Sequence, residues 1–217
     1  RLRKAYIKEM KEMGGFAQFG ESAVGGVENA GVFVMFDGVI DGGAGVYDDG
    51  LAARGEPSLK NDGYAYIDQV SVRGAQAAFK GPGDPSGIVN TGVISIVGST
   101  VTGNGGCEGY FPACAGVGVR NSGHMEMSRS IVANNYYEEC VGGIVDLGYN
   151  VFETGGGCVV TVSTSIEADP LLGEDEELMT GSPAIDRAPL ALCRPTDRLG
   201  RERTDGNADG PVPCDSG

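Results

Sequence analysis

Residues 87–104 read GIVNTGVISIVGSTVTGN, and a matching segment, GVENAGVFVMFDGVIDGG, occupies residues 26–43. A third copy, GVRNSGHMEMSRSIVANN, follows at 118–135, and a weaker one, KNDGYAYIDQVSVRGA, lies at 60–75. The copies recur about every 30 residues, a spacing typical of solenoids, propellers or repeat arrays.

Three series of positions define the repeat. The first is an asparagine series, and the other two are apolar. They read Asn29, Asn61, Asn90 and Asn121; Met35, Ile67, Ile96 and Met127, with Ile7 as an earlier member; and Ile40, Val72, Val101 and Val132.

Apolar residues alternate within each copy, as in Ile94-Ser95-Ile96, which is the period of a β-strand. No helical period lies between the strands, and a propeller blade would need about 40–45 residues. The sequence therefore predicts an all-β fold, a right-handed parallel β-helix of about five or six turns, or rungs. Facing copies would then align their asparagines in a ladder at one corner, with a structural role.

The first segment, RLRKAYIKEMKEM, permits two interpretations. Its core AYIKEMKEMGG resembles AYIDQVSVRGA of a later copy, which favours a rung. Its helix-forming residues instead favour an amphipathic helix that caps the solenoid. As a rung it would leave a bare first edge, open to pairing with another molecule.

The repeats weaken after residue 135. We therefore predict β-helix rungs over 1–135, with an insertion at 105–117, and the last rung or rungs with an extended cap over 136–217. The insertion carries Tyr110 and Phe111 at its tip, where exposed aromatic side chains would form a contact loop. The cap would wrap around the last rung and cover its strand edges.

Six cysteines, an even number, favour three disulfides and an oxidising, extracellular location. A zinc site is disfavoured because the chain has no C-x-x-C pair and one histidine. Six cysteines allow 15 pairings. We favour pairing of sequential neighbours: Cys107–Cys114, Cys140–Cys158 and Cys193–Cys214.

The C-terminal motifs LGYNVF, ADPLL, GSPAIDRA, C-x-x-TDRLGRER and CDSG carry a resemblance. They resemble the C-terminal region of bacterial right-handed β-helix surface proteins of the choice-of-anchor type, within the pectin-lyase-like group. The family pattern runs GSPAID-x-G, C-x-x-TDQRG-x-R and CDIGAYE. This chain departs from it at Arg187-Ala188, Leu199 and Ser216. The resemblance implies a β-helix at the cell surface and says little about activity.

The resemblance also implies where catalytic groups would lie, because enzymes on this fold use carboxylates clustered on one outer face. Asp37 and Asp68 fall on adjacent rungs one position apart and are the best candidate pair. Carboxylates also serve simply to keep a surface soluble. His124 should point to solvent, since it alternates with the inward Met125 and Met127.

A calcium site is suggested by Asp205, Asn207 and Asp209, which occupy positions 1, 3 and 5 of a loop with glycine at position 6. Position 12 is Ser216 where a calcium loop has glutamate. The alternative is a polar turn.

Composition limits the function. The net charge is −14, so a nucleic-acid binder is excluded. No apolar run is long enough to span a membrane. Two hypotheses follow: a secreted or cell-surface structural or adhesive protein that associates end to end into filaments, and a protein that binds or degrades cell-surface polysaccharide.

Overall fold

The structure is a computed structural model that describes residues 5–12, 26–42, 57–77, 86–107, 116–196 and 214–217. For 5–12, 76–77 and 106–107 only the backbone is described. The strands are β1 (Ala5–Glu12), β2 (Val27–Asp41), β3 (Leu59–Asn61), β4 (Tyr64–Arg73), β5 (Gln76–Ala77), β6 (Ile88–Asn90), β7 (Val93–Val97), β8 (Thr100–Val101), β9 (Gly106–Cys107), β10 (Val119–Asn121), β11 (His124–Ser128), β12 (Ile131–Val132), β13 (Cys140–Val141), β14 (Val145–Asp146), β15 (Val151–Phe152) and β16 (Ile166–Glu167). A single 3₁₀ turn, Leu190–Leu192, is the one helical element of these residues.

Fourteen strands form one large sheet, and β5 and β9 form a separate parallel pair. Each copy of the repeat is hydrogen-bonded in parallel to the next, so that β2, β4, β7 and β11 lie side by side. The chain is therefore all-β with a large parallel sheet, which is consistent with a β-solenoid. We call the four aligned copies at 26–42, 58–75, 87–104 and 118–135 the repeats.

The predicted register is confirmed at all three series of positions. Asn29, Asn61, Asn90 and Asn121 align in consecutive strands. The series from Met35 to Met127 and from Ile40 to Val132 align as well. A spacing near 30 residues thus places chemically equivalent residues opposite each other.

The core consists of the inward positions of these strands. Phe33, Ala65, Ile94 and Met125 form one row across the sheet. All of them are at most 1% exposed. The Met35 and Ile40 series form two further rows, none more than 3% exposed. Burying each large apolar side chain contributes roughly 1.5–3 kcal/mol, so these rows are the main source of stability.

Glycines stand where consecutive repeats approach most closely. A Cβ atom added at Gly92 would lie 2.1 Å from the carbonyl oxygen of Gly63, the equivalent residue of the preceding repeat. At Gly123 it would lie 2.2 Å from the Gly92 oxygen. Larger residues at this corner would push the repeats apart.

The first strand corrects one prediction. β1 is neither a helix nor a rung in parallel register: it runs antiparallel to β2, with Ala5 opposite Met35 and Glu12 opposite Val27. The edge of β2 is therefore covered from residue 27 to residue 35, so the first edge is not fully bare. Beyond Met35, residues 36–40 have no strand partner on that side among the described residues.

The C-terminal segment continues the stack and then leaves it. β13, β14, β15 and β16 each pair in parallel with the preceding repeat or strand. Residues 168–196 are mostly irregular, with an isolated bridge between Leu172 and Leu178. The part of the chain that the structure describes contains no helix with the length and hydropathy that crossing a bilayer requires.

Candidate functional site

The asparagine series forms a continuous hydrogen-bonded ladder. The Nδ2 of Asn29 donates to Asn61 Oδ1 at 2.6 Å, Asn61 to Asn90 at 2.6 Å, and Asn90 to Asn121 at 2.7 Å. Each amide also donates to backbone carbonyls of its own or the next repeat, such as Asn90 to His124 O at 3.1 Å. The four side chains are at most 7% exposed. These hydrogen bonds pair the buried amide groups within the protein. The asparagine side chains are therefore structural and are not free to bind a ligand.

A second ladder, at the opposite end of each repeat, is one that sequence reasoning missed. Asn104 Nδ2 donates to Asn135 Oδ1 at 2.9 Å and to the carbonyl of Val72 at 3.0 Å. Ser58 Oγ donates to Asn104 Oδ1 at 3.4 Å. The sequence does contain a sign of this ladder, because two of the copies end in the dipeptides GN and NN. The position equivalent to Asn104 in the preceding repeat is Ala75, however, whose backbone N–H donates to Asn104 Oδ1 at 3.2 Å, so the asparagine is not kept in that repeat.

Another corner follows the long strand of each repeat. Asp37, Gln69, Gly98 and Arg129 occupy equivalent positions, and all have φ between 50° and 57°. This left-handed backbone turns each repeat towards its next short strand. The turn also projects a polar or charged side chain from three of the four repeats. We call this feature the left-handed corner.

The predicted pair Asp37 and Asp68 lies at this corner. The guanidinium of a third residue, Arg194, lies against both carboxylates. Arg194 Nη1 lies 2.9 Å from Asp37 Oδ1, and its Nη2 lies 3.4 Å from Asp37 Oδ2. The same Nη1 is 3.9 Å from Asp68 Oδ2. The guanidinium also lies over the ring of Phe36, 5.4 Å from its centre. Such a bidentate ion pair with an aromatic face is a specific arginine environment.

Electrostatics at Asp68 reflect its burial. Burial raises the pKa of Asp68 above its ordinary value, the cations Arg194 and Arg129 oppose that rise, and Asp37 adds to it. Burial, followed by the charge of Asp68, also raises the pKa of Tyr66. Asp68 Oδ1 and Gln69 Oε1 have no hydrogen-bond donor among the described residues, although both residues are at most 6% exposed.

The described residues of the C-terminal tail, 187–196 and 214–217, contact the first, second and fourth repeats. Arg194 contacts the first repeat, and the Thr196 carbonyl accepts from Gln69 Nε2 of the second at 2.9 Å. Gly217 N donates to Arg129 O of the fourth at 2.8 Å. Ser216 Oγ donates to Tyr149 O beyond the repeats. The described tail residues thus contact the left-handed corner in three of the four repeats.

Asp146 is a buried hub of the C-terminal segment that no sequence signal identified. Its Oδ1 accepts from Ser165 Oγ at 2.7 Å, Asn150 Nδ2 at 2.8 Å and Gly148 N at 2.9 Å. Its Oδ2 accepts from two further backbone amides. Burial acts to raise the pKa of Asp146, but these hydrogen bonds outweigh it and lower the pKa below its ordinary value. The hub is structural.

A second buried carboxyl closes the Asn104–Asn135 ladder. Glu139 is 3% exposed, and its Oε1 accepts from the backbone N–H of Asn135 at 3.1 Å. Burial, together with hydrogen bonding to Glu153, raises the pKa of Glu139 to about 8. Burial thus favours the protonated form of Glu139 in the folded protein.

One face of the sheet is open and largely apolar. The outward residues of β2, β4 and β7 include Val32, Tyr64 and Val93, which align in one row and are 39–46% exposed. Phe36 and Tyr66 lie beside them with ring centres 5.7 Å apart. We call this surface the outer face. Exposed apolar patches of this kind commonly serve as interaction surfaces.

A groove of about 370 Å³ lies on another side of the stack, between the repeats and the bridge at Leu172 and Leu178. Three of its charged side chains are paired: Arg73 Nη1 is 2.7 Å from Glu176 Oε1, and its Nε is 3.5 Å from Asp41 Oδ2.

Two of the three predicted disulfides are present, Cys140–Cys158 and Cys193–Cys214. The Cys107–Cys114 bond cannot be followed, because Cys114 lies outside the described residues. The contact loop with Tyr110 and Phe111 lies outside them too. His124 is exposed as expected, and its Nε2 lies 3.1 Å from Glu126 Oε1.

The calcium-loop residues Asp205, Asn207 and Asp209 also lie outside the described residues, and calcium remains a prediction. Elsewhere, in the described residues, no three histidine, cysteine or acidic side chains are grouped as metal ligands.

No protein-family model, no curated protein and no solved structure matches this chain.

Proposed function

We propose that this chain is a secreted or cell-surface structural or adhesive protein that associates end to end. In this proposal the parallel sheet is wound as a right-handed β-helix of five or six rungs, closed by the disulfide-held tail. The two disulfides favour an oxidising compartment outside the cytoplasm.

The proposal rests on the carboxylate pair Asp37 and Asp68, which the chain itself covers. Asp37 is held by both nitrogens of Arg194, and Asp68 is buried beneath the tail. A general acid or nucleophile must reach its substrate, and these two groups are covered by the chain itself. What the described residues offer to a partner is the outer face.

End-to-end association is supported by the edge of β2. Residues 36–40 pair with β4 on one side and have no strand partner on the other among the described residues. Such an edge can pair with a strand of another molecule, and repetition of a head-to-tail contact produces a filament.

Sedimentation velocity and electron microscopy test this association. We expect species that grow with protein concentration, and we expect Val39→Lys, which places a charge on the edge strand, to abolish them. Val89→Lys is the matched control, because β6 is paired on both sides and its residue is also partly exposed. Monomers at every concentration would refute end-to-end association.

Polysaccharide binding is the second candidate, and the aromatic side chains of the outer face favour it. Tyr64 and Tyr66 lie on β4, and Phe36 lies on the adjacent β2 with its ring centre 5.7 Å from that of Tyr66. Tyr64 is 46% exposed, whereas the Phe36 ring is in contact with the Arg194 guanidinium. The net charge of −14 favours a neutral glycan over a polyanion.

Affinity electrophoresis in gels that contain neutral polysaccharides tests the second candidate. We expect Tyr64→Ala to lose retardation and Tyr137→Ala, an exposed tyrosine outside the outer face, to keep it. Equal retardation of both variants would show that the outer face does not bind the glycan. Incubation with the same glycans should release no product.

A further inference from the structure

The left-handed corner contains a complete binding environment for an arginine side chain. Asp37 accepts two hydrogen bonds from one guanidinium, Asp68 lies 3.9 Å from it, and Phe36 supplies an aromatic face. Carboxylates and a ring in this arrangement recognise the planar fork of arginine and fit an ammonium less well.

Arg194 does not use all the acceptors of this environment. Asp68 Oδ1 and Gln69 Oε1 have no donor among the described residues, and their residues are 6% and 2% exposed. Both residues surround Gly98 together with Arg129: a Cβ atom there would lie 3.7 Å from Asp68 Oδ1, from Gln69 Cγ and from Arg129 Nη1. The glycine therefore leaves room for about one methyl group between Asp68 Oδ1 and the guanidinium of Arg129.

The tail presents its arginine as an extended peptide would. Arg194 fills the environment, and two residues later the Thr196 carbonyl accepts from Gln69 Nε2 at 2.9 Å. One side-chain contact and one main-chain contact, two residues apart, are the elements of peptide recognition. The residues that make them, Asp37 and Gln69, come from adjacent repeats.

We propose that the left-handed corner is a binding site for an arginine in an extended basic peptide segment, and that Arg194 occupies it until a partner segment replaces it. This inference deepens the proposed adhesive function by naming a partner class. The net charge of −14 attracts basic partners. A partner with donors for Asp68 Oδ1 and Gln69 Oε1 gains contacts that Arg194 does not make.

The Cys193–Cys214 disulfide determines how firmly the tail holds the site. Cys193 precedes Arg194 directly, and Cys214 is fully buried against the fourth repeat, 3.9 Å from Arg129 Nη1. The bond keeps Arg194 at a high effective concentration near Asp37. Loss of the disulfide should therefore make the site easier for a partner to enter.

Isothermal titration with a tail-derived probe tests the proposal. The probe is acetyl-Ala-Arg-Pro-Thr-amide, which copies residues 193–196 with alanine for the cysteine, and the control probe carries citrulline for arginine. We expect Arg194→Ala to bind the arginine probe at least tenfold more tightly than the intact protein does. Cys193→Ser/Cys214→Ser should fall between the two.

Matched variants decide the outcome. Asp37→Asn added to Arg194→Ala should weaken binding at least tenfold. Arg187→Ala, which removes a tail arginine that donates to Thr164 O, should bind no better than the intact protein. Should Arg194→Ala fail to fold, Arg194→Gln replaces it with the same expectation.

Equal binding of the arginine and citrulline probes, or no binding by either Arg194 variant, would overturn the proposal. Neither result would affect filament formation, which is measured separately by sedimentation and microscopy. The two proposals can therefore fail independently.

Discussion

The repeats and the C-terminal strands β13, β14, β15 and β16 build the same sheet with different polar contacts. In the repeats, one asparagine bond recurs from Asn29 to Asn121 at nearly constant length. In the C-terminal segment, Asp146 gathers five donors at a single point, and no described neighbour repeats it. A repeated contact distributes stability along the stack, whereas a hub concentrates it in one side chain.

The largest effect is expected from breaking the ladder in its middle. Asn90→Ala removes the bonds to Asn61 and Asn121 and leaves two buried amides with fewer partners. Each orphaned buried group costs about 1–3 kcal/mol, so we expect a loss of roughly 3–5 kcal/mol in urea unfolding. Thr91→Ala, an exposed neighbour, should cost less than about 1 kcal/mol. Equal losses in the two variants would contradict the structural role of the ladder.

Replacement of Asp146 should lower the free energy of unfolding by somewhat less, and the loss should depend on pH. Asp146→Asn presents an amide where five donors converge, and we expect a loss of about 2–4 kcal/mol at pH 7. The folded pKa of Asp146 is lowered, so its stabilising contribution is present above the unfolded value of 3.8 and is lost as pH falls through the folded pKa. The difference in the free energy of unfolding between the variant and the parent should therefore become smaller towards pH 3. Asp169→Asn, an exposed control, should show a small gap at every pH.

Replacement of Glu139 should change stability less, and it should raise stability rather than lower it. Its folded pKa of about 8 exceeds the unfolded value of 4.5, so its stabilising contribution is present below pH 4.5 and is lost as pH rises through 8. Glu139→Gln imitates the protonated form, and we expect it to melt a few degrees higher than the parent above pH 8, with little difference at pH 4.5. Parallel melting curves for the two proteins across this range would be the contrary result. Glu138→Gln, which is exposed, is the control.

The smallest effect is expected at His124, the outward neighbour of the buried Met125. The side chain is exposed and its one described partner is Glu126, so His124→Ala should change the free energy of unfolding by less than about 0.5 kcal/mol. A larger loss would mean that the outer face of the repeats contributes more than its solvent exposure implies.

The repeats were predictable because their structure follows from spacing. Asparagine at one interval and alternating apolar residues at the same interval specify which positions align, and the alignment specifies what is buried. The second ladder was harder to find because asparagine occupies its position at 104 and 135, whereas alanine occupies the equivalent position 75 of the preceding repeat.

The candidate site was predictable only in part. Asp37 and Asp68 were placed together from the register, but the prediction of a catalytic pair overlooked the cation that covers them. Arg194 follows Cys193 in a motif that suggested a cap, and nothing local indicates that the cap reaches the first repeat. β1 likewise reads as a strand, but nothing in its local sequence indicates that it runs antiparallel to β2.

The sequence by itself determined the all-β class, the register of the repeats and the line of buried asparagines, because each is a consequence of local alternation and a nearly constant period. Only the tertiary structure decided the ion pair of Arg194 with Asp37, the Asp146 hub and the raised pKa of Glu139. Those contacts join residues whose separation follows no period, and burial and charge act on them only after the chain has brought them together.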